Sequence, residues 1–277
     1  MYALYDNSNL YTPRPDMTPK NQYFSTSLEK GLKILSLFDT ETRSLTQTEI
    51  SRILALNMTS TYRFVNTLVK LEYLEKDPKT KEVRLGIRSL ALSTNIIRSS
   101  DELRLIKKLV DDVHSRFNIT IDVAFTVDNN LMRAYQREAK ETLTYHLPSV
   151  AKNSLHNTSI GKAYLSTLPD DSLKQTINSI SLPAKTPKTI IDKDQLLSEI
   201  EKTKHRGYAM CVEEYLPGLI TIGAPLINQR TGTGLGGVSF DFSIIQQNAH
   251  EVEQKYSAIV IELARSISEV LKRALKC

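Results

Sequence analysis

The stretch from Leu45 to Leu74, LTQTEISRILALNMTSTYRFVNTLVKLEYL, constrains this chain more than any other. Its apolar residues recur at helical spacing on either side of a break near Ala55, which predicts two short helices joined by a tight turn. In the second helix Thr61, Phe64, Val65, Leu68 and Leu71 form the stripe expected to pack inward. The opposite stripe holds Thr59, Tyr62, Arg63, Asn66 and Lys70, groups able to donate to phosphates or base edges. No Asp or Glu lies between Ile50 and Leu71, whereas Arg52, Arg63 and Lys70 do, so this surface is expected to attract a polyanion.

Downstream, EKDPKTKEVRLG alternates polar and apolar residues around Asp77, Pro78, Lys79 and Thr80, the pattern of a turn between two short strands. Such a hairpin reads as a wing, with Lys76, Lys79, Lys81 and Arg84 placed to touch a nucleic-acid backbone. Upstream, Ser27 to Phe38 is expected to be a helix burying Leu28, Leu32, Ile34, Leu35 and Phe38 on one side. Three helices and a wing make a winged helix-turn-helix. Such domains also serve as protein-docking modules, but the carboxylate-free helix and the basic hairpin favour DNA.

With 277 residues and a hydrophobic fraction of 40%, the chain is long enough for two cored domains. Residues 1–100 carry 14 Lys and Arg against 10 Asp and Glu, so most of the formal net charge of +5 lies in the segment that resembles a DNA reader. Cys211 and Cys277 cannot build a disulfide framework or a metal knuckle, which points to a reducing cytoplasm. Neither a signal sequence nor a long apolar span is evident, so no membrane association is expected. Residues 1–24, with Pro13, Pro15 and Pro19 and no period, are expected to be a mobile arm, the alternative being that their four tyrosines dock on a partner subunit.

Beyond the wing a connector helix is expected over roughly Ser89 to Ile97, then a helix capped by Ser100 or Asp101 that buries Leu103, Ile106, Leu109, Val110 and Val113. Ile119 to Val127 alternates as a strand and turns at Asp128, Asn129 and Asn130 into a second strand ending at Arg137. Helices are expected at Ser159 to Leu168, Asp170 to Ile180 and Asp194 to Arg206, the last closed by Gly207. Strands follow at Tyr208 to Glu214, Leu219 to Asn228 and Gly237 to Phe242, and a long helix from about Ile244 to Ala274. Hairpins with interspersed helices give an α+β class.

Three motifs are set aside. GTGLGG, with Gly232, Gly234 and Gly237, matches a dinucleotide fingerprint, but no helix follows it, and a Gly-rich hairpin turn is the better reading. Ser159 and Lys162 form an SxxK without the other signatures of acyl-transfer enzymes. Ser159 is better placed at a helix start whose backbone N–H groups face into the domain. The histidines at 114, 146, 156, 205 and 250 lack metal-ligand spacing, so no metal, cofactor or catalytic residue is expected.

Two segments together resemble the isocitrate lyase regulator (IclR) family of bacterial transcription factors: the helix-turn-helix stretch with Leu56, Tyr62, Arg63, Thr67 and Leu68, and LHNTSIGKAYLSTL at Leu155 to Leu168 with GYAMCVEEYLPGLITIGAPL at Gly207 to Leu226. The resemblance runs from about Ser25 to Lys276. It implies a winged helix-turn-helix at 25–87, a linker helix at 88–100 and a GAF-like effector-binding domain at 101–277, assembled as a homodimer or homotetramer on a palindromic double-stranded operator. DNA contacts would then come from Thr59, Ser60, Tyr62, Arg63, Asn66, Lys79, Lys81 and Arg84. By the same resemblance a small-molecule effector would meet Ser159, Ile160, Cys211, Thr221, Ser239 and Asp241. Ala55 and Glu72 stand where the family commonly has Gly, Cys211 where an acidic residue is common, and Asp241 where Ser is common. A carboxylate at 241 implies an effector that is neutral, hydroxylated or cationic, or an Asp241 already paired. The competing reading is a metabolite-binding protein or enzyme whose N-terminal domain serves only for dimerisation.

Overall fold

The computed structural model describes residues 23–39, 42–140, 150, 151 and 153–274. The expected arm, apart from Tyr23 and Phe24, falls outside them, as do His146 and Cys277. The chain forms two compact units, one up to Ser99 and the other from Ser100.

The first unit contains α1 (Thr26–Leu35), α2 (Gln47–Ile53), α3 (Met58–Lys70), a two-stranded antiparallel hairpin of β1 (Leu74–Lys76) and β2 (Val83–Leu85), and α4 (Ile87–Ser99). Its core gathers Ile34, Leu37, Phe38, Ile50, Val65, Leu74 and Val83. Thr46 and Glu49 start α2 with a reciprocal capping box, and Asn57 Oδ1 starts α3 by accepting from Ser60 N–H at 2.8 Å. Both helices end in Schellman turns. Leu56 N–H donates to Ser51 C=O at 3.0 Å past Ala55, and Tyr73 N–H to Leu68 C=O at 2.9 Å past Glu72. The turns put Ala55 at φ 49° and Glu72 at φ 61°, the left-handed region in which a Cβ is strained.

Three leucines expected inside are outside. Leu28 and Leu32 are 63% and 54% exposed, because they lie round the helix from Ile34 and Phe38, which take the core-facing side. Leu71 is exposed at the C-cap of α3, where the chain has already turned away. Helix α4 buries none of its residues within the chain and exposes Ile87, Leu90, Leu92, Ile96 and Ile97.

The second unit is built on a six-stranded antiparallel sheet in the order β5-β4-β3-β8-β7-β6. The strands are β3 (Thr120–Val127), β4 (Asn130–Arg137), β5 (Val150–Ala151), β6 (Ala209–Val212), β7 (Leu219–Ile227) and β8 (Gly234–Ser243). Asp128 and Asn129, both at positive φ, turn β3 into β4. Alternation along the strands gives each sheet face its own core. Ile121, Val123, Ile220, Ile222, Val238 and Phe240 pack with α5 (Asp101–Phe117) and α9 (Ala249–Ala274). The opposite face, with Ala124 on it, is covered by α6 (Ser159–Leu165), α7 (Asp170–Ser179) and α8 (Lys193–Arg206).

Helix α6 lies close on the sheet because Gly223 leaves room for it: a Cβ there would stand 2.9 Å from Ser159 Oγ and 3.1 Å from Ser159 backbone carbon. Several expected boundaries shift, among them the start of the last helix and the start of the last strand. Helix α9 starts at Ala249, since Gln246 and Gln247 N–H groups turn back to Ser243 C=O and a reciprocal Asn248–Glu251 cap fixes the start. In GTGLGG only Gly232 sits in the turn; Gly234 and Gly237 belong to β8, whose pairing with β7 shifts register between Leu226 and Ile227.

Candidate functional site

Helix α3 turns Thr61 and Val65 fully inward, which leaves Thr59, Tyr62 and Arg63 exposed and Ser60 and Asn66 half-buried on the other side. Ser51 Oγ, donating to Leu56 C=O at 2.7 Å, and the Schellman turn at Ala55 fix how α2 delivers this surface. Among the described residues the Arg63 side chain has neither a hydrogen-bond partner nor an ion pair, so its guanidinium fork is available to an outside acceptor.

The wing is less free than its sequence implies. Asp77 Oδ1 accepts from the N–H groups of Lys79 and Thr80 at 2.7 and 2.9 Å, which pulls its pKa below the usual carboxylate range and shapes the turn. Lys81 reaches Pro78 C=O at 2.6 Å, and Arg84 pairs with Glu75 at 3.1 Å. Both pairings are exposed and worth little. Lys79 keeps its ammonium uncommitted among the described residues.

In the second unit a cavity of about 60 Å³ lies between the sheet and the start of α6. Ser159, Ile160, Thr221, Ser239 and Asp241 line it, and so do Asp122, Arg133, Thr158, Tyr215, Ala124 and Leu131. Strand register explains the grouping: Thr221 stands opposite Asp241, and Ser239 opposite Asp122, so polar side chains of β3, β7 and β8 share one face. Asp122 is held by Arg133 Nη1 and Gln136 Nε2, each at 3.4 Å. Asp241 Oδ1 accepts from Ser239 Oγ at 3.5 Å, and its carboxyl stands within hydrogen-bonding reach of Asp122; among the described residues no donor reaches its Oδ2 or Thr221 Oγ1, both buried. Burial, and then the negative charge of Asp122, pushes the pKa of Asp241 well above the ordinary range, and burial raises that of Asp122. Burial and the neighbouring carboxylate thus favour the neutral form of Asp241, the carboxyl with fewer donors aimed at it.

Cys211 does not line the cavity. Its thiol is buried beside Lys162 and Glu214, and burial pushes it up to about 12, so it stays protonated and unreactive. Lys162 Nζ meets Glu214 Oε1 at 2.5 Å with no solvent exposure. The ammonium is thus committed to a carboxylate, which leaves the SxxK pattern without a base. His156, fully buried, binds Pro183 C=O at 3.1 Å through Nε2, and burial lowers its pKa. No group of three metal-binding side chains occurs among the described residues.

Asp122, Arg133 and Tyr215 went unrecognised in the sequence. The signal was present in the first case: Thr120, Asp122, Ala124 and Thr126 form the second phase of an alternating strand, a phase that reads as solvent-facing unless a helix is known to cover it.

Two family models account for the chain: the IclR helix-turn-helix domain over residues 27–78 and the C-terminal domain of bacterial transcriptional regulator IclR over residues 94–269. The chain belongs to the IclR family. This member is a transcriptional regulator with a helix-turn-helix DNA-binding domain. It is 25% identical over 256 residues to the transcriptional repressor AllR of Escherichia coli K12, covering 91% of this chain and 93% of that one. It is 23% identical over 248 residues to the regulator KdgR of Dickeya chrysanthemi, covering 88% and 80%. Among solved structures the IclR regulator of Alicyclobacillus acidocaldarius shares the fold with a TM-score of 0.76 at 20% identity, over 90% of this chain and 99% of that one. An IclR homologue from Microbacterium hydrocarbonoxydans, solved with 4-hydroxybenzoate, superposes with a TM-score of 0.67 at 21% identity, over 90% and 100%. No described helix is long and apolar enough to cross a membrane.

Proposed function

We propose that this IclR-family member reads a palindromic operator as a homodimer or homotetramer in the cytoplasm, that a small molecule in the second-unit cavity changes its operator affinity, and that it performs no chemistry. Arg63 is assigned bidentate reading of a guanine edge, worth about 1–3 kcal/mol of discrimination. Thr59, Ser60, Tyr62 and Asn66 fix the register, while Lys79, Lys81 and Arg84 supply salt-dependent attraction to the backbone. The apolar side chains that α4 and α1 leave exposed support self-association, since a second copy would remove Leu90, Ile97 and Leu28 from water. Coupling is assigned to α4, whose tilt would set whether two winged domains meet half-sites spaced by about 34 Å.

The observation that carries the effector reading is the pair of buried atoms that no donor reaches among the described residues, Asp241 Oδ2 and Thr221 Oγ1, at the wall of the cavity. Such atoms cost about 1–3 kcal/mol each when left unmet, a cost that a ligand removes. The 4-hydroxybenzoate bound to the Microbacterium homologue supports a small organic ligand here. A thermal-shift screen of metabolites on the full chain, followed by operator titration with each hit, tests the reading. A compound that stabilises the protein and shifts operator affinity is expected; hits that leave DNA binding untouched would reject the coupling.

A further inference from the structure

The chemistry of the cavity narrows the ligand class, on the reading that this cavity is the effector site. Among the described residues, Asp122 on β3, Arg133 on β4 and Asp241 on β8 are the charged groups lining it, and Tyr215 is the other titratable one. Helix α6 contributes Ser159 and Ile160, and β7 contributes Leu219 and Thr221. Arg133 is spent on Asp122, as is Gln136. What remains facing the space is a set of oxygens, from Asp241, Thr221 and Ser239, against a wall of Ala124, Leu131, Ile160 and Leu219.

We propose that the cavity takes a small amine whose ammonium group docks between Asp241 and Thr221 while its hydrocarbon part lies on that apolar wall. The three ligand charge types make different demands on the carboxyl pair. An ammonium supplies the donors that Asp241 Oδ2 and Thr221 Oγ1 lack, and the Asp241 carboxyl loses its proton to solvent so that two carboxylates face two cations, the ligand and Arg133. A carboxylate ligand would have to draw Arg133 from Asp122, and Asp122 would then take a proton from solvent. An alcohol leaves the protonation of the pair unchanged. The direction of proton exchange on binding therefore reports the ligand class.

Calorimetric titration of the full chain with propylamine, propanoate and 1-propanol, each in two buffers of different ionisation enthalpy, measures affinity and proton exchange together. Propylamine is expected to bind about tenfold or more tightly than 1-propanol, the scale of a desolvated charge pair, with propanoate weakest. Its binding releases a proton, and Asp241→Asn, which keeps the shape, abolishes both the release and the preference. Tighter binding of propanoate, or proton uptake by wild type, overturns the amine while leaving the cavity as a ligand site. Failure of all three to bind at high concentration removes the proposal and also the cavity as an effector site.

Discussion

Lys162, wholly closed to water, meets the mostly buried Glu214 at 2.5 Å, joining α6 to the segment after β6. Burial works against the charge on Lys162, and the nearby negative groups, the Glu214 carboxylate foremost, outweigh it, so its pKa ends above the ordinary lysine value. The pair fixes the backbone beside Tyr215, a residue of the cavity wall.

Removal of one partner strands the other. Lys162→Met is expected to cost about 3–5 kcal/mol in urea denaturation, because Glu214 is left charged and buried. Lys162→Met combined with Glu214→Leu should recover most of that loss. A single variant as stable as wild type would show that the pair is not buried in solution.

Asp241 makes stability depend on pH in a direction opposite to most carboxylates. Its folded pKa lies above the unfolded value of 3.8, so its stabilising contribution is complete below that value and is lost as pH rises through the folded pKa. Asp241→Asn is therefore expected to match wild type near pH 4 and to gain on it as the pH rises towards neutrality. Urea midpoints across that range check the sign; a gap that closes with rising pH would refute the buried protonated carboxyl.

The Schellman turns predict two stabilising substitutions. Ala55 and Glu72 hold positive φ angles at which glycine carries no Cβ strain. Ala55→Gly and Glu72→Gly should each raise stability by about 1 kcal/mol, less whatever glycine adds to the entropy of the unfolded chain. The exposed Glu72–Arg88 pair at 3.3 Å, lost in the second variant, subtracts little. Destabilisation by both in thermal melts would contradict the turn geometry.

The exposed stripe of α3 was legible because helical period sorts residues by side: Thr61 and Val65 inward forces Tyr62 and Arg63 outward. The reading fails at Leu28 and Leu32, which share a stripe with each other but lie round the helix from Ile34 and stay exposed. Period says which residues share a face and nothing about what covers it. For the same reason Asp122 was hidden: its strand alternates, but both faces of the sheet are covered. Arg133 enters the cavity only through the β3–β4 register, and β5 is too short for a pattern. The grouping of Thr221, Ser239 and Asp241 is likewise a matter of strand pairing, which spacing along the chain does not encode.

Selection of bound duplexes from a random pool, run in parallel on wild type and Arg63→Ala at fixed salt, addresses operator reading most directly. Wild type should enrich one two-fold symmetric sequence, and Arg63→Ala should lose preference at one base pair in each half-site while retaining the rest. No enrichment by wild type at low ionic strength, or an identical motif from both proteins, would contradict the assignment of α3 as the reader.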